Sequence, residues 1–183
     1  MDTKFGFSVL DTPRLILPPN LNIRQSGCFD VRCFNPDGSL AWQDRWNNGA
    51  TSAALNDILS VYFAAGTPKT TWYIGLINNA GFSALASADT MASHAGWTEL
   101  TDYSESVRQT WTPSAPAGGS VTNTNTPSFT NITNGNVVNG AFLVSDNTKG
   151  GTTGVLWATS SNSTPQTLQS GQVLKVNYTN QLQ

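Results

Sequence analysis

The chain has 183 residues, 38% of them apolar and only 11% charged, with a net charge of -2 and a pI near 5.1. Typical soluble proteins carry about 25% charged residues, so solubility here rests on hydroxyl and amide groups, a surface that hydrogen-bonds well, repels poorly and suits packing against copies of itself or a partner. The nine basic residues are scattered singly, which argues against a nucleic-acid binder, and no apolar run approaches the roughly 20 residues of a bilayer span.

The length suits one domain, or one domain with an arm. Met1 is not followed by a basic and then apolar leader, so synthesis in the cytoplasm is expected. Residues 1–25 differ from the rest. Phe5, Phe7, Val9 and Leu10 alternate loosely, and Leu15, Ile16 and Leu17 run into Pro18-Pro19, which cannot lie inside a central strand or a helix. This reads as an extended arm before a body of residues 26–183, with a folded-back edge strand as the alternative. An arm that leaves the body needs a neighbouring subunit to cover its apolar side chains. Phe5, Phe7, Leu10, Leu15, Ile16 and Leu17 are therefore the candidate subunit contacts.

Cys28 to Phe34 and Ser39 to Trp46 flank Asn35-Pro36-Asp37-Gly38, the signature of a β-hairpin, which Asn47-Asn48-Gly49 ends. Residues 51–65 predict the one helix: Leu55, Ile58, Leu59, Tyr62 and Phe63 recur at three- and four-residue spacing, so this stripe is expected to lie buried against the sheet. Thr51 or Ser52 can cap its start and Gly66 its end, with Pro68 beyond. Thr71 to Ile77 is rich in β-branched and aromatic residues and predicts a buried strand, in which Gly75 marks a bulge or a close backbone approach. Residues 78–97 exceed the usual connection length and are expected to carry local structure or touch a partner. Further strands are predicted near 97–100, 107–111, 128–132, 137–145, 155–160 and 173–178, separated by turn clusters such as Asn134-Gly135 and Ser170-Gly171. The pattern is mainly β: an antiparallel β-sandwich, jelly-roll-like, with a single amphipathic α-helix.

Chemistry is sparse. From Gln109 onward the only charged side chains are Asp146, Lys149 and Lys175. Cys28 and Cys33 sit five apart in one strand, about 16 Å by strand rise and on opposite faces, too far for a disulfide. Two cysteines and one distant histidine are a poor zinc set. Glu99, Asp102 and Glu105 form the one acidic cluster and read as a solvated loop, since nothing nearby suggests the apolar pocket a glycosidase carboxyl pair needs. His94, without a strained nucleophile turn, reads as a loop histidine making one hydrogen bond. Residues 146–151 resemble a phosphate loop only superficially, because no Lys-Ser or Lys-Thr follows the glycines. Of Trp42, Trp46, Trp72, Trp97, Trp111 and Trp157, most are expected in the core, with one or two left for a ligand or subunit contact. No cofactor, metal or catalytic residue is expected.

The blocks Thr70 to Ile77 (TTWYIGLI), Ala88 to Leu100 (ADTMASHAGWTEL), Thr101 to Arg108 (TDYSESVR) and Ala141 to Thr159 (AFLVSDNTKGGTTGVLWAT) resemble a family of small virion proteins of tailed bacteriophages, across roughly residues 28–178. The resemblance implies a non-enzymatic head decoration, or cement, protein on the capsid surface. It would clamp neighbouring major capsid proteins, with the major capsid protein and further copies of itself as partners. A glycan-binding module on a tail or fibre is the alternative. Residues 1–25 fall outside the matched blocks.

Overall fold

The computed structural model describes residues 24–182. Ten strands and one helix follow in chain order: β1 (Gln25–Phe34), β2 (Leu40–Ala50), α1 (Ser52–Phe63), β3 (Trp72–Asn78), β4 (Thr98–Leu100), β5 (Gln109–Trp111), β6 (Ser120–Thr122), β7 (Ser128–Thr130), β8 (Asn136–Val144), β9 (Leu156–Leu168) and β10 (Val173–Leu182). The predicted hairpin forms. Asn35 and Ser39 close it through a backbone bond of 2.8 Å, and Gly38 takes a φ of +83° at the exit, where a Cβ would be strained. Asn47-Asn48-Gly49 does not end the second strand, which runs on to Ala50 because Gly49 and Ala50 pair with Thr159 and Ala158.

That two-residue pairing is the corner of the molecule. On one side of it lie β2, β1 and β10, with β6 and β7 both on the outer edge of β10; on the other lie β9, β8 and β3, with β4 and β5 both on β3. Every pairing is antiparallel. The sheet therefore curls into a half-barrel whose two halves enclose the main core, the mainly β, sandwich-like class expected.

Alternation sorts the side chains. Phe29, Val31 and Cys33 of β1 and Leu174, Val176 and Tyr178 of β10 meet Ile74, Leu76, Ala141, Leu143 and Ala158 from the opposite half. Burying each of the larger of these contributes about 1.5–3 kcal/mol. The other face of β3 and β8 carries Ile77, Phe142 and Val144, which with Leu156 form a second cluster under Met91 and Trp97. The segment after β3 thus does carry local structure: it folds over this outer face, and the Trp97 indole N–H donates to Asp89 at 2.9 Å. Gly75 is a close approach, since a Cβ there would stand 2.2 Å from Cζ of Phe142.

One strand and the second half of another escaped the sequence reading. β6 is three residues long and polar. β9 continues from 160 to Leu168 through Pro165, which it tolerates because the register jumps between Gly140↔Ser161 and Val138↔Gln166, leaving the proline in a bulge.

Thr51 is the N-cap of α1: its hydroxyl accepts from Ala54 N at 3.1 Å and donates to the Leu156 carbonyl, tying the helix to β9. At the other end Ala65, not a glycine, takes the left-handed conformation (φ +54°), and Gly66 N donates to Ser60 O at 2.9 Å.

Candidate functional site

Glu99 of the acidic cluster is not a solvated ion, whereas Asp102 and Glu105 stay partly exposed. Arg108 is fully buried, and the Glu99 side chain is 6% exposed. The guanidinium donates to Glu99 through Nε at 3.1 Å and Nη2 at 2.8 Å, to the Asp146 carbonyl at 3.0 Å and to the Gly151 carbonyl at 2.7 Å. Gly150 N donates to the same carboxylate at 2.8 Å, and the guanidinium lies 5.2 Å from the Phe142 ring centroid. Desolvating two ions is tolerable only with such complete hydrogen bonding. The result is a clamp that holds the 146–151 turn against β4.

Glu105 accepts from the backbone N and the hydroxyl of Thr130, at 3.0 and 2.9 Å. Asp102 accepts from Asn136 at 3.1 Å, and hydrogen bonds from Thr133 and Asn136 hold its carboxyl below the ordinary range. Lys149 Nζ donates to the carbonyls of Tyr103 and Glu105 at 2.9 and 2.7 Å and sits 4.3 Å over the Tyr103 ring. These ions are braces rather than spectators. Their oxygens are occupied by donors from the chain itself, which leaves them poorly placed for proton transfer.

His94 is the loop histidine expected: Nδ1 lies 2.9 Å from the Trp97 carbonyl and its ring stacks on that indole at 4.0 Å. Cys28 and Cys33 are free and buried. Burial pushes the Cys33 thiol up to about 11 and, with the nearby Asp30 carboxylate, raises Cys28 also. Among the described residues no group of three or more His, Cys, Asp or Glu could hold a metal ion.

The largest departure from expectation is α1. Its stripe was expected to be core, yet Leu55, Leu59, Tyr62 and Phe63 are 47, 55, 77 and 83% exposed. Only Ala54 is buried in the helix, and the half-buried positions beside it are Ala53, Asp57, Ile58, Ser60 and Val61. The helix thus settles on the face of Ala54, Ile58 and Val61, with Asp57 paired to Lys69 at 3.4 Å, and turns Leu55, Leu59, Tyr62 and Phe63 to solvent.

A second apolar surface opens at the mouth between the two halves of the sheet. Trp72, Trp111, Trp157, Pro113, Pro116 and Val121 line a groove of about 330 Å³, with Asn180 at its polar side. Trp72 and Trp157 meet edge to face at 5.1 Å and 69°. The Trp111 indole donates to the Tyr178 carbonyl at 3.1 Å and the Trp157 indole to Asn180 Oδ1 at 3.2 Å. Asn180 Oδ1 also accepts from Gln25 Nε2, the first residue of β1. Trp46, Trp97 and Trp111 are buried, and Trp42, Trp72 and Trp157 are partly so, matching the expectation that most belong to the core. That two of the partly buried ones converge here depends on strand register, and no local pattern in the sequence shows it.

The contact candidates Phe5, Phe7, Leu10, Leu15, Ile16 and Leu17 lie outside the described residues. No protein-family model matches the chain, and no curated protein matches it.

Proposed function

We propose that the chain is a non-enzymatic building block of a tailed-phage head, a decoration protein that adheres to the outer capsid surface and braces contacts between major capsid proteins. The observation that carries this reading is the outward apolar face of α1. A domain that functions alone gains nothing from presenting Leu55, Leu59, Tyr62 and Phe63 to water, whereas covering them yields about 25 cal/mol per Å² buried. The occupied carboxylates and the clamped Arg108 support adhesion over catalysis, and the blocks resembling phage virion proteins supply the setting. Apolar side chains before β1 would add to the contact with neighbouring subunits. Repeated over many copies, even a modest site opposes the outward pressure of packaged DNA.

The test is reconstitution of depleted particles with Leu59→Ser/Phe63→Ser subunits. Both side chains are exposed, so the subunit's own unfolding free energy should change by less than about 0.5 kcal/mol. Particle binding should fall at least tenfold, and the particles should lose heat and osmotic tolerance. Particles that are equally robust without the subunit would overturn the role.

A further inference from the structure

We propose that the outer face of β1 and β10 at Arg32 and Lys175 is a docking site for an acidic side chain, Asp or Glu, of a protein partner. This face is carried by elements other than α1, so the inference does not depend on the role proposed above. Alternation sends Phe29, Val31 and Cys33 of β1 and Leu174, Val176 and Tyr178 of β10 into the core, which leaves Asp30, Arg32, Lys175 and Asn177 on the outside. The register then sets Arg32 directly opposite Lys175, and both are exposed. Side chains so placed stand about 5 Å apart at Cβ, and like charges in that relation destabilise the pair. Other cations have partners in the fold: Arg45 has Asp30 at 3.7 Å, Lys69 has Asp57 at 3.4 Å, Arg108 has Glu99, and Lys149 has two carbonyls. Arg32 and Lys175 pair with no carboxylate among the described residues.

The surroundings narrow the occupant. Lys175 Nζ is held 4.8 Å over the Phe34 ring, which pre-positions its charge. Arg32 opens onto a cleft of about 520 Å³ that Asp30, Gln43, Asp44, Arg45 and Asn177 also line. Gln43 of β2 stands opposite Arg32 on the side away from Lys175, so a carboxylate seated over Arg32 meets a second cation and an amide donor. With Lys175 added, the cleft holds three cations against Asp30 and Asp44, a net of +1. That suits a single carboxylate. It is too little for a nucleic-acid backbone, whose binders neutralise several phosphates at once, and for an anionic membrane, which is read by clusters of about 4–8 Lys and Arg. Strand addition is closed off as well. Residues 40–48 of β2 have a strand neighbour only in β1 among the described residues, but Asp44 accepts the Arg45 N–H at 2.7 Å, and a charged side chain on an edge blocks pairing there. A partner therefore engages this face through a side chain rather than through its backbone.

Fluorescence anisotropy of a labelled octapeptide of alternating Thr and Glu, titrated with the full chain at an ionic strength where the Debye length is about 10 Å, tests this. Arg32→Gln/Lys175→Met should weaken binding about tenfold, the worth of two exposed ion pairs. Arg24→Gln/Lys69→Gln removes the same charge elsewhere and should change it by less than about twofold, because distant charges are screened. Equal peptide affinity in the wild type and Arg32→Gln/Lys175→Met would overturn the proposal, and so would equal binding of the peptide with Gln in place of Glu. Urea unfolding gives a second readout. Both side chains are exposed and Lys175→Met keeps an aliphatic stem on Phe34, so relieving the like-charge contact should leave the midpoint unchanged or raise it. A clear fall would overturn the proposal by making the two cations structural. A DNA duplex or a phosphatidylserine vesicle that binds the wild type more tightly than the peptide, and loses that binding in the same variant, would also overturn it, by assigning the face to a polyanion.

Discussion

Replacing Arg108 by methionine removes the cation from a pair that is almost wholly out of water. Arg108→Met keeps much of the volume and the contact with Phe142, but it leaves the Glu99 carboxylate, 6% exposed, without its counter-ion. Orphaning one member of a buried pair costs about 3–5 kcal/mol. The carbonyls of Asp146 and Gly151 also lose their donors, at about 1 kcal/mol each where no water enters. These losses overlap, and about 4 kcal/mol is the expected total, a large share of the roughly 5–15 kcal/mol that holds a domain together. At this chain length that corresponds to a fall in Tm of about 8–16 °C. Urea unfolding followed by tryptophan fluorescence and circular dichroism reads it directly. The double variant Glu99→Leu/Arg108→Met should recover part of the loss, because it removes the stranded charge. Recovery stays incomplete because Gly150 N loses its acceptor. A cost below about 1 kcal/mol for Arg108→Met, or a double variant as unstable as the sum of the single ones, would refute the clamp.

Two further outcomes follow from the core. Gly75→Ala places a Cβ about 2.2 Å from the Phe142 ring, so it should cost about 1–3 kcal/mol or more by overpacking; Phe142→Leu in the same chain should restore much of this, as measured by chemical denaturation. Cys33 provides an alkaline signature. Its thiol titrates near 9 when unfolded and about 11 when folded, so the folded state holds the proton more tightly, and the stabilisation is complete below pH 9 and lost as pH rises through 11. Tyr103 and Tyr178, raised by burial, contribute to the same alkaline fall. The stability difference between wild type and Cys33→Ala isolates the cysteine: it should shrink between pH 9 and 11 and stay constant from pH 6 to 8. A difference that does not change with pH would show that the thiol is not desolvated as described.

Local pattern carried much of this architecture. Turn chemistry at Asn35 to Gly38 specified the hairpin, and β-branched and aromatic runs specified β3, β8 and β10. Thr51 and the apolar spacing after it specified a helix within two residues of its ends. These are nearest-neighbour properties, governed by backbone torsions and by side chains two to four positions apart, so they are written in the order of residues. Burial is different in kind, because it depends on which distant surface arrives. Two apolar arcs run along α1, one through Ala54, Ile58 and Val61 and one through Leu55, Leu59 and Tyr62. Thr51, bonded to β9, left the bulkier arc facing water. Glu99 read as part of a solvated loop, and its pairing with Arg108, nine residues further on, exists only because β4, the Phe142 ring and the 146–151 turn close around the guanidinium. Trp72, Trp111 and Trp157 belong to three separate strands, and only the curl of the sheet, joined at Ala50 and Ala158, brings their rings to one mouth.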